Sequence, residues 1–87
     1  MGLEIVEFIM HTEKKFDLKI SNDEASRTLT VGAFTKLCHQ KLYLKPNNTS
    51  TEEDVFVAIK QILHEHFAID ENIIRREHFF VSDLGLE

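Results

Sequence analysis

Few residues in this chain have types and spacing that could do chemistry. His64 and His66 flank Glu65. Residues two apart on a helix diverge by ~200°, so these two rings cannot share one metal. No Cys/His set has zinc-ligand spacing, and no metal is expected. The histidines read as solvated, with His11 a lone candidate for a partner contact. Cys38 is the single cysteine, so no internal disulfide can form. It recurs with Val31, Phe34, Leu37 and Leu42 at helical spacing, which predicts a small buried hydrophobe and not a nucleophile. Glu4, Glu7 and Glu13 read as a solvated acidic face. There is no G-x-S-x-G, no phosphate loop and no G-x-G-x-x-G, so enzyme activity has no support in the sequence. The remaining candidate is split between the two ends. The tail reads Phe80-Val81-Ser82-Asp83-Leu84-Gly85-Leu86-Glu87, and the head reads Gly2-Leu3-Glu4-Ile5-Val6-Glu7-Phe8-Ile9-Met10. Each alone is a fragment: a loop that stops in mid-course and a helix without a lead-in.

The elements that must position these residues are helical. Eighty-seven residues make one domain with one modest core. Hydrophobic residues make up 43% of the chain, with only three Gly and one Pro, which favours an ordered helical chain. Ile5, Phe8, Ile9 and Phe16 share one face of a helix over residues 3–16. Leu3, Val6 and Met10 form a second ridge, which spacing alone assigns to the core. A connector covers Asp17 to Ser21, and a short capped turn follows at Asn22–Ser26. Thr30 is the expected N-cap of a helix running to about residue 43. The stretch from Lys45 to Thr49, with Pro46, breaks the helical pattern. Ser50 and Glu53 have capping-box spacing before a helix that runs to about Phe67. Val55, Ala58, Ile59, Ile62 and Phe67 mark its buried face. From Asp70 onward a long loop carries the anchors Ile73, Ile74, Phe79, Phe80, Leu84 and Leu86; loops this long tend to be functional. Period-two alternation is missing, so the expected fold is all-α, with three longer helices and one short one.

Charge and hydropathy exclude several partners. A net charge of -5 argues against nucleic acid, which needs clustered Lys and Arg. No apolar run approaches the ~20 residues of a membrane span. Acids stand in the opening residues where a secretory signal carries basic ones, so the expected setting is the cytoplasm.

Joined tail to head, the two ends read F-x-x-D-L-G-L-E and then G-L-E-I-V-E-F-I-M. This resembles the attachment site of acyl carrier proteins, where a loop carrying D-L-G-x leads into D-S-L at the head of a helix. Residues 51–87 resemble the family's first helix and long loop, and residues 2–44 resemble the rest. Leu3 to Met10 is similar to its acidic recognition helix. Glu13-Lys14-Lys15-Phe16-Asp17-Leu18-Lys19-Ile20 is similar to its E-x-x-F-x-x-x-I. Asp23-Glu24-Ala25 followed by Thr30-Val31 resembles its short third helix and the start of its fourth. The resemblance covers nearly the whole chain and implies an acyl-carrier-like four-helix bundle. The motifs gain specificity only in combination.

Two departures follow from the same comparison. The order is rearranged as in a circular permutant cut between loop and recognition helix, with linker 45–50 joining the former ends. Such a cut suits a compact domain whose ends lie close together. Second, Gly2 stands where the family has the serine that accepts 4′-phosphopantetheine. The resemblance therefore implies a scaffold for acyl thioester carriage, as in fatty-acid or polyketide synthesis, with no arm attached. Asp83, Leu84, Gly85 and Glu87 would be what is left of the site around Gly2. Leu3, Glu4, Val6, Glu7 and Met10 would face acyl-transfer or synthase enzymes with basic docking surfaces. That implication moves the Leu3 ridge from core toward partner surface. Two alternatives stay open: an interaction module with no carrier role that uses the acidic helix, or a chain that exchanges halves with a second copy.

Overall fold

A computed structural model describes residues 2–87. Four α-helices follow one another: α1 (Leu3–Phe16), α2 (Asn22–Arg27), α3 (Val31–Tyr43) and α4 (Glu52–Phe67). A single 3-10 turn, Glu71–Ile73, and an irregular segment over 74–87 complete the chain. The described residues hold no β-strand; one isolated bridge joins Thr30 to Phe79. The all-α expectation, with three longer helices and one short one, matches this architecture.

Three helices begin on side chains of their own sequence. The Ser21 hydroxyl accepts from the Glu24 amide, Thr30 from Ala33, and Thr51 from Asp54. Each satisfies one of the amides left without a partner in a first turn. Thr30 is the cap its sequence predicts. At α4 the capping box lies one residue later than Ser50 and Glu53 suggest. The Ser50 amide donates to Asn48 Oδ1 at 3.0 Å, so the linker turn holds Ser50 and leaves Thr51 and Asp54 to form the box. At α2 the cap is Ser21, which the sequence had placed in the connector.

The core gathers between α1, α3 and α4, with α4 packed on both of the others. Its centre is aromatic. Phe8 lies 5.2 Å from Phe34 and 5.0 Å from Phe80, and Phe34 meets Phe80 edge-on at 5.7 Å. Tilted and edge-on geometries match positive ring edges to negative faces. Thr12 and Thr35 are fully buried because their hydroxyls donate to the Phe8 and Val31 carbonyls one turn back, at 2.9 and 2.7 Å. Cys38 is buried as expected, and loss of water pushes its thiol up to about 12 against the smaller pull of Lys41. The connector after α1 joins this core through Leu18 and Ile20, and Glu13 locks it by accepting from the Ile20 amide at 2.9 Å.

On α4 the buried face is wider than periodicity marked, because Phe56 and Leu63 join Val55, Ile59 and Ile62. Phe56 packs under the guanidinium of Arg76, 4.3 Å above the ring, and Arg76 also pairs with Glu52 at 3.3 Å and Glu53 at 2.6 Å. Segment 74–87 is thereby fastened to the start of α4. It is also fastened to the start of α3. The Val31 and Gly32 amides donate to the His78 and Arg76 carbonyls at 2.9 and 2.8 Å, and the Phe80 amide donates to the Leu29 carbonyl at 3.1 Å. A Cβ at residue 32 would sit 2.9 Å from the Arg76 carbonyl, so the close approach requires glycine. Ile74, Phe80 and Leu86 are buried anchors of the segment and Leu84 is half-buried. Ile73 and Phe79 are exposed, because the 3-10 turn and the Thr30 bridge fix their backbones and leave their side chains outside.

Candidate functional site

The N-terminus of α1 is unlike the others. Its N-cap is Gly2, extended at φ -73° and ψ 168°, with no side chain to offer. The missing acceptor comes from the far end of the sequence. The Glu87 carbonyl accepts from the Ile5 amide at 2.9 Å, and the Glu87 amide donates to Glu4 Oε1 at 3.1 Å. Residues 2 and 87 are so close that a Cβ on residue 2 would overlap the Glu87 carbonyl carbon. Tail and head therefore meet at one point, with glycine where a side chain would collide.

Segment 79–87 reaches that point through nested turns. Asp83 accepts from the Phe79 amide at 2.7 Å through its carboxylate, and the Asp83 and Leu84 amides both return to the Phe79 carbonyl at 3.1 Å. The Gly85 amide donates to Val81 and the Leu86 amide to Phe80. Gly85 takes φ +75°, the left-handed region, with open space where a Cβ would lie, so backbone conformation and not crowding selects glycine. Leu84 packs half-buried against the core. Of the residues singled out around Gly2, then, Glu4 and Glu87 touch it or its first turn. Asp83, Leu84 and Gly85 shape the turn that delivers Glu87.

Beside the junction an apolar cavity of about 180 Å³ opens between α1, α3 and the segment. Gly2 and Ser82 lie on its wall with Ile5, Phe8, Phe79 and Phe80. Ser82 is exposed and lies within the turn, not at the helix start. The sequence did not show this cavity, because its lining is shared among four separate stretches. The exposed Leu29 and Val81, which also line it, carried no periodic signal.

Along α1 the Leu3 ridge faces outward. Leu3 is 73% exposed, Met10 60% and Val6 39%, so the core assignment drawn from spacing is corrected. The helix buries only the Ile5–Phe8–Thr12 stripe, because α4 and α3 cover one side of it. Glu4 and Glu7 are on α1 with that ridge, Glu4 half-buried and Glu7 exposed.

A second cluster was not legible. His11 does not stand alone: its ring stacks on that of His66 with centroids 3.7 Å apart and planes 12° apart. His64 points elsewhere, with Nδ1 3.1 Å from the Ile69 carbonyl, as the divergence of neighbours two apart requires. Among the described residues no group of three or more His, Cys, Asp or Glu side chains could hold a metal ion. Nor is any described helix long and apolar enough to cross a membrane.

Compared with known families, curated proteins and solved structures, the chain matches none.

Proposed function

We propose that this chain is an acyl-carrier-like scaffold in circularly permuted order, with Gly2 occupying the position of the family's arm-bearing serine. The observation that supports the reading is the meeting of Gly2 and Glu87 at the start of α1, which puts the tail and head stretches side by side in space. The neighbouring apolar cavity supports it, since an acyl chain needs such a refuge from water. The residues present do not fit the prosthetic arm. Gly2 has no hydroxyl to bear a phosphodiester, and Ser82 sits inside the turn. Covalent carriage therefore lies outside this chain's reach, while scaffold and docking face are kept.

The test restores the hydroxyl. In Gly2→Ser the new Cβ displaces Glu87, and the serine oxygen can accept the Ile5 amide in its place as an ordinary N-cap. With a phosphopantetheinyl transferase and coenzyme A, the folded variant gains the arm at residue 2 and the parent chain gains nothing. A folded Gly2→Ser chain that stays unmodified, or a parent chain modified at Ser82, overturns the reading. Light scattering on the parent separates a monomer from a pair exchanging halves.

The exposed ridge favours a second reading, a non-carrier interaction module. Leu3, Val6 and Met10 lie on one helix with Glu4 and Glu7, a combination suited to a basic partner with an apolar strip. Here Glu4→Lys with Glu7→Lys abolishes a pull-down in which acyl-transfer enzymes play no part.

A further inference from the structure

The apolar cavity beside Gly2 has the size and lining of a site for a small uncharged molecule. Its volume, about 180 Å³, is close to the ~150 Å³ of an apolar protein cavity that holds benzene. That scale admits a ligand of about six to eight heavy atoms. Most of the wall is apolar, and among the described residues no charged side chain lines it. Its polar side chains are those of Thr28 and Ser82. The Thr28 hydroxyl is already engaged, reaching the Glu24 and Ala25 carbonyls at 3.1 and 3.4 Å. Water entering the cavity finds few partners, whereas an apolar molecule gains by leaving water.

The rim is apolar too. Leu29, Phe79 and Val81 line the cavity and yet stand 56%, 46% and 59% exposed. A ligand seated there removes part of each from water. Charge decides which ligands are suited. Glu4 and Glu87 adjoin Gly2, and Asp83 follows Ser82. Arg27, which precedes Thr28, is paired with Asp23 at 2.9 Å. An anionic head group would meet these acids and find no cation on the wall.

We propose that this cavity binds a free, uncharged apolar molecule of the short-chain alcohol class, with no covalent bond. It shares the cavity with the carrier reading but does not need the arm. Failure of arm attachment at residue 2 leaves it standing, and failure of ligand binding leaves the arm test untouched.

The probes are the straight-chain alcohols from butanol to decanol, titrated into the parent chain at neutral pH and followed by methyl NMR. Saturable shifts centre on Ile5, Ile9, Leu29 and Val81, while Val57, on α4 and outside the lining, stays still. Affinity climbs about 4-fold per added methylene and levels off at about seven carbons, once the cavity is full. Hexanoate binds about 10-fold more weakly than hexanol, because its charge must be desolvated without a partner. Ile9→Phe puts bulk into the cavity and lowers affinity about 10-fold. Leu29→Ser, at an exposed position that keeps the fold, lowers it several-fold. Four results overturn the proposal: shifts that never saturate, affinity that climbs by the same step through decanol, hexanoate binding as tightly as hexanol, or alcohol binding unchanged in Leu29→Ser.

Discussion

Helix α4 starts on its own residues, whereas α1 starts on residues from the opposite end of the sequence. At α4 the Thr51 hydroxyl and the Asp54 carboxylate satisfy each other's amides within a single turn. At α1 Gly2 has no side chain to cap with, its carbonyl takes only the Val6 amide, and Glu87 supplies the acceptor for Ile5. A local cap forms whenever the turn forms. A distant cap forms only after segment 74–87 has docked, and that docking depends on Ile74, Phe80 and Leu86 being buried and on the α3 amides being engaged. The first turn of α1 thus depends for its cap on the docked segment, whereas the first turn of α4 keeps its cap without it and gains from the segment only the Arg76 pairs to Glu52 and Glu53.

The strongest way to break this contrast is Phe80→Ala. Phe80 contacts Phe8 and Phe34, and its loss should cost about 3–5 kcal/mol. Amide exchange should then accelerate at Ile5 and Leu86 far more than at Asp54; equal acceleration at all three would show that both caps depend on docking. Cys38 gives an independent reading of the same opening. Its folded thiol is raised from 9.0 to about 12, so its stabilising contribution is complete below about 9 and is lost as pH climbs toward 12. Alkylation at neutral pH should be slow in the parent chain and faster in Phe80→Ala; parent alkylation as fast as in denaturant would contradict the burial. Thr51→Ala should cost about 1 kcal/mol and loosen the Asp54 amide while Ile5 stays protected. The smallest expected effect is at Glu4→Gln, which weakens an exposed bond to the Glu87 amide and should cost roughly 0.5 kcal/mol or less. In acid, a separate small loss should appear at Glu24. Its hydrogen bond to Lys41 holds its carboxyl below the usual 4.5, so its contribution is present above that value and fades as pH falls through the lowered one. Lys41→Gln should erase that fraction of the acid response.

What could be read from the sequence follows the same division between local and distant. Helix extents, the Thr30 cap and the burial of Cys38 depend on neighbours within a turn or two, and periodicity revealed them. The one-residue slip at the α4 cap arose because Asn48 and Ser50 engage each other first, a choice no spacing rule contains. The Leu3 ridge was ambiguous because two apolar stripes fit one helix, and only the placement of α3 and α4 decides which is covered. The junction of residues 2 and 87 was legible only by joining the two ends and comparing them with a known motif. The His11–His66 stack and the apolar cavity left no trace at all, since each is assembled from stretches whose residues look ordinary in isolation.

The touching of residues 2 and 87 also bears on engineering. A domain whose residues 2 and 87 are neighbours can be spliced at those positions into a surface loop of a host protein without prising that loop apart. Threaded between two host strands, it would add one small helical body on a narrow stalk.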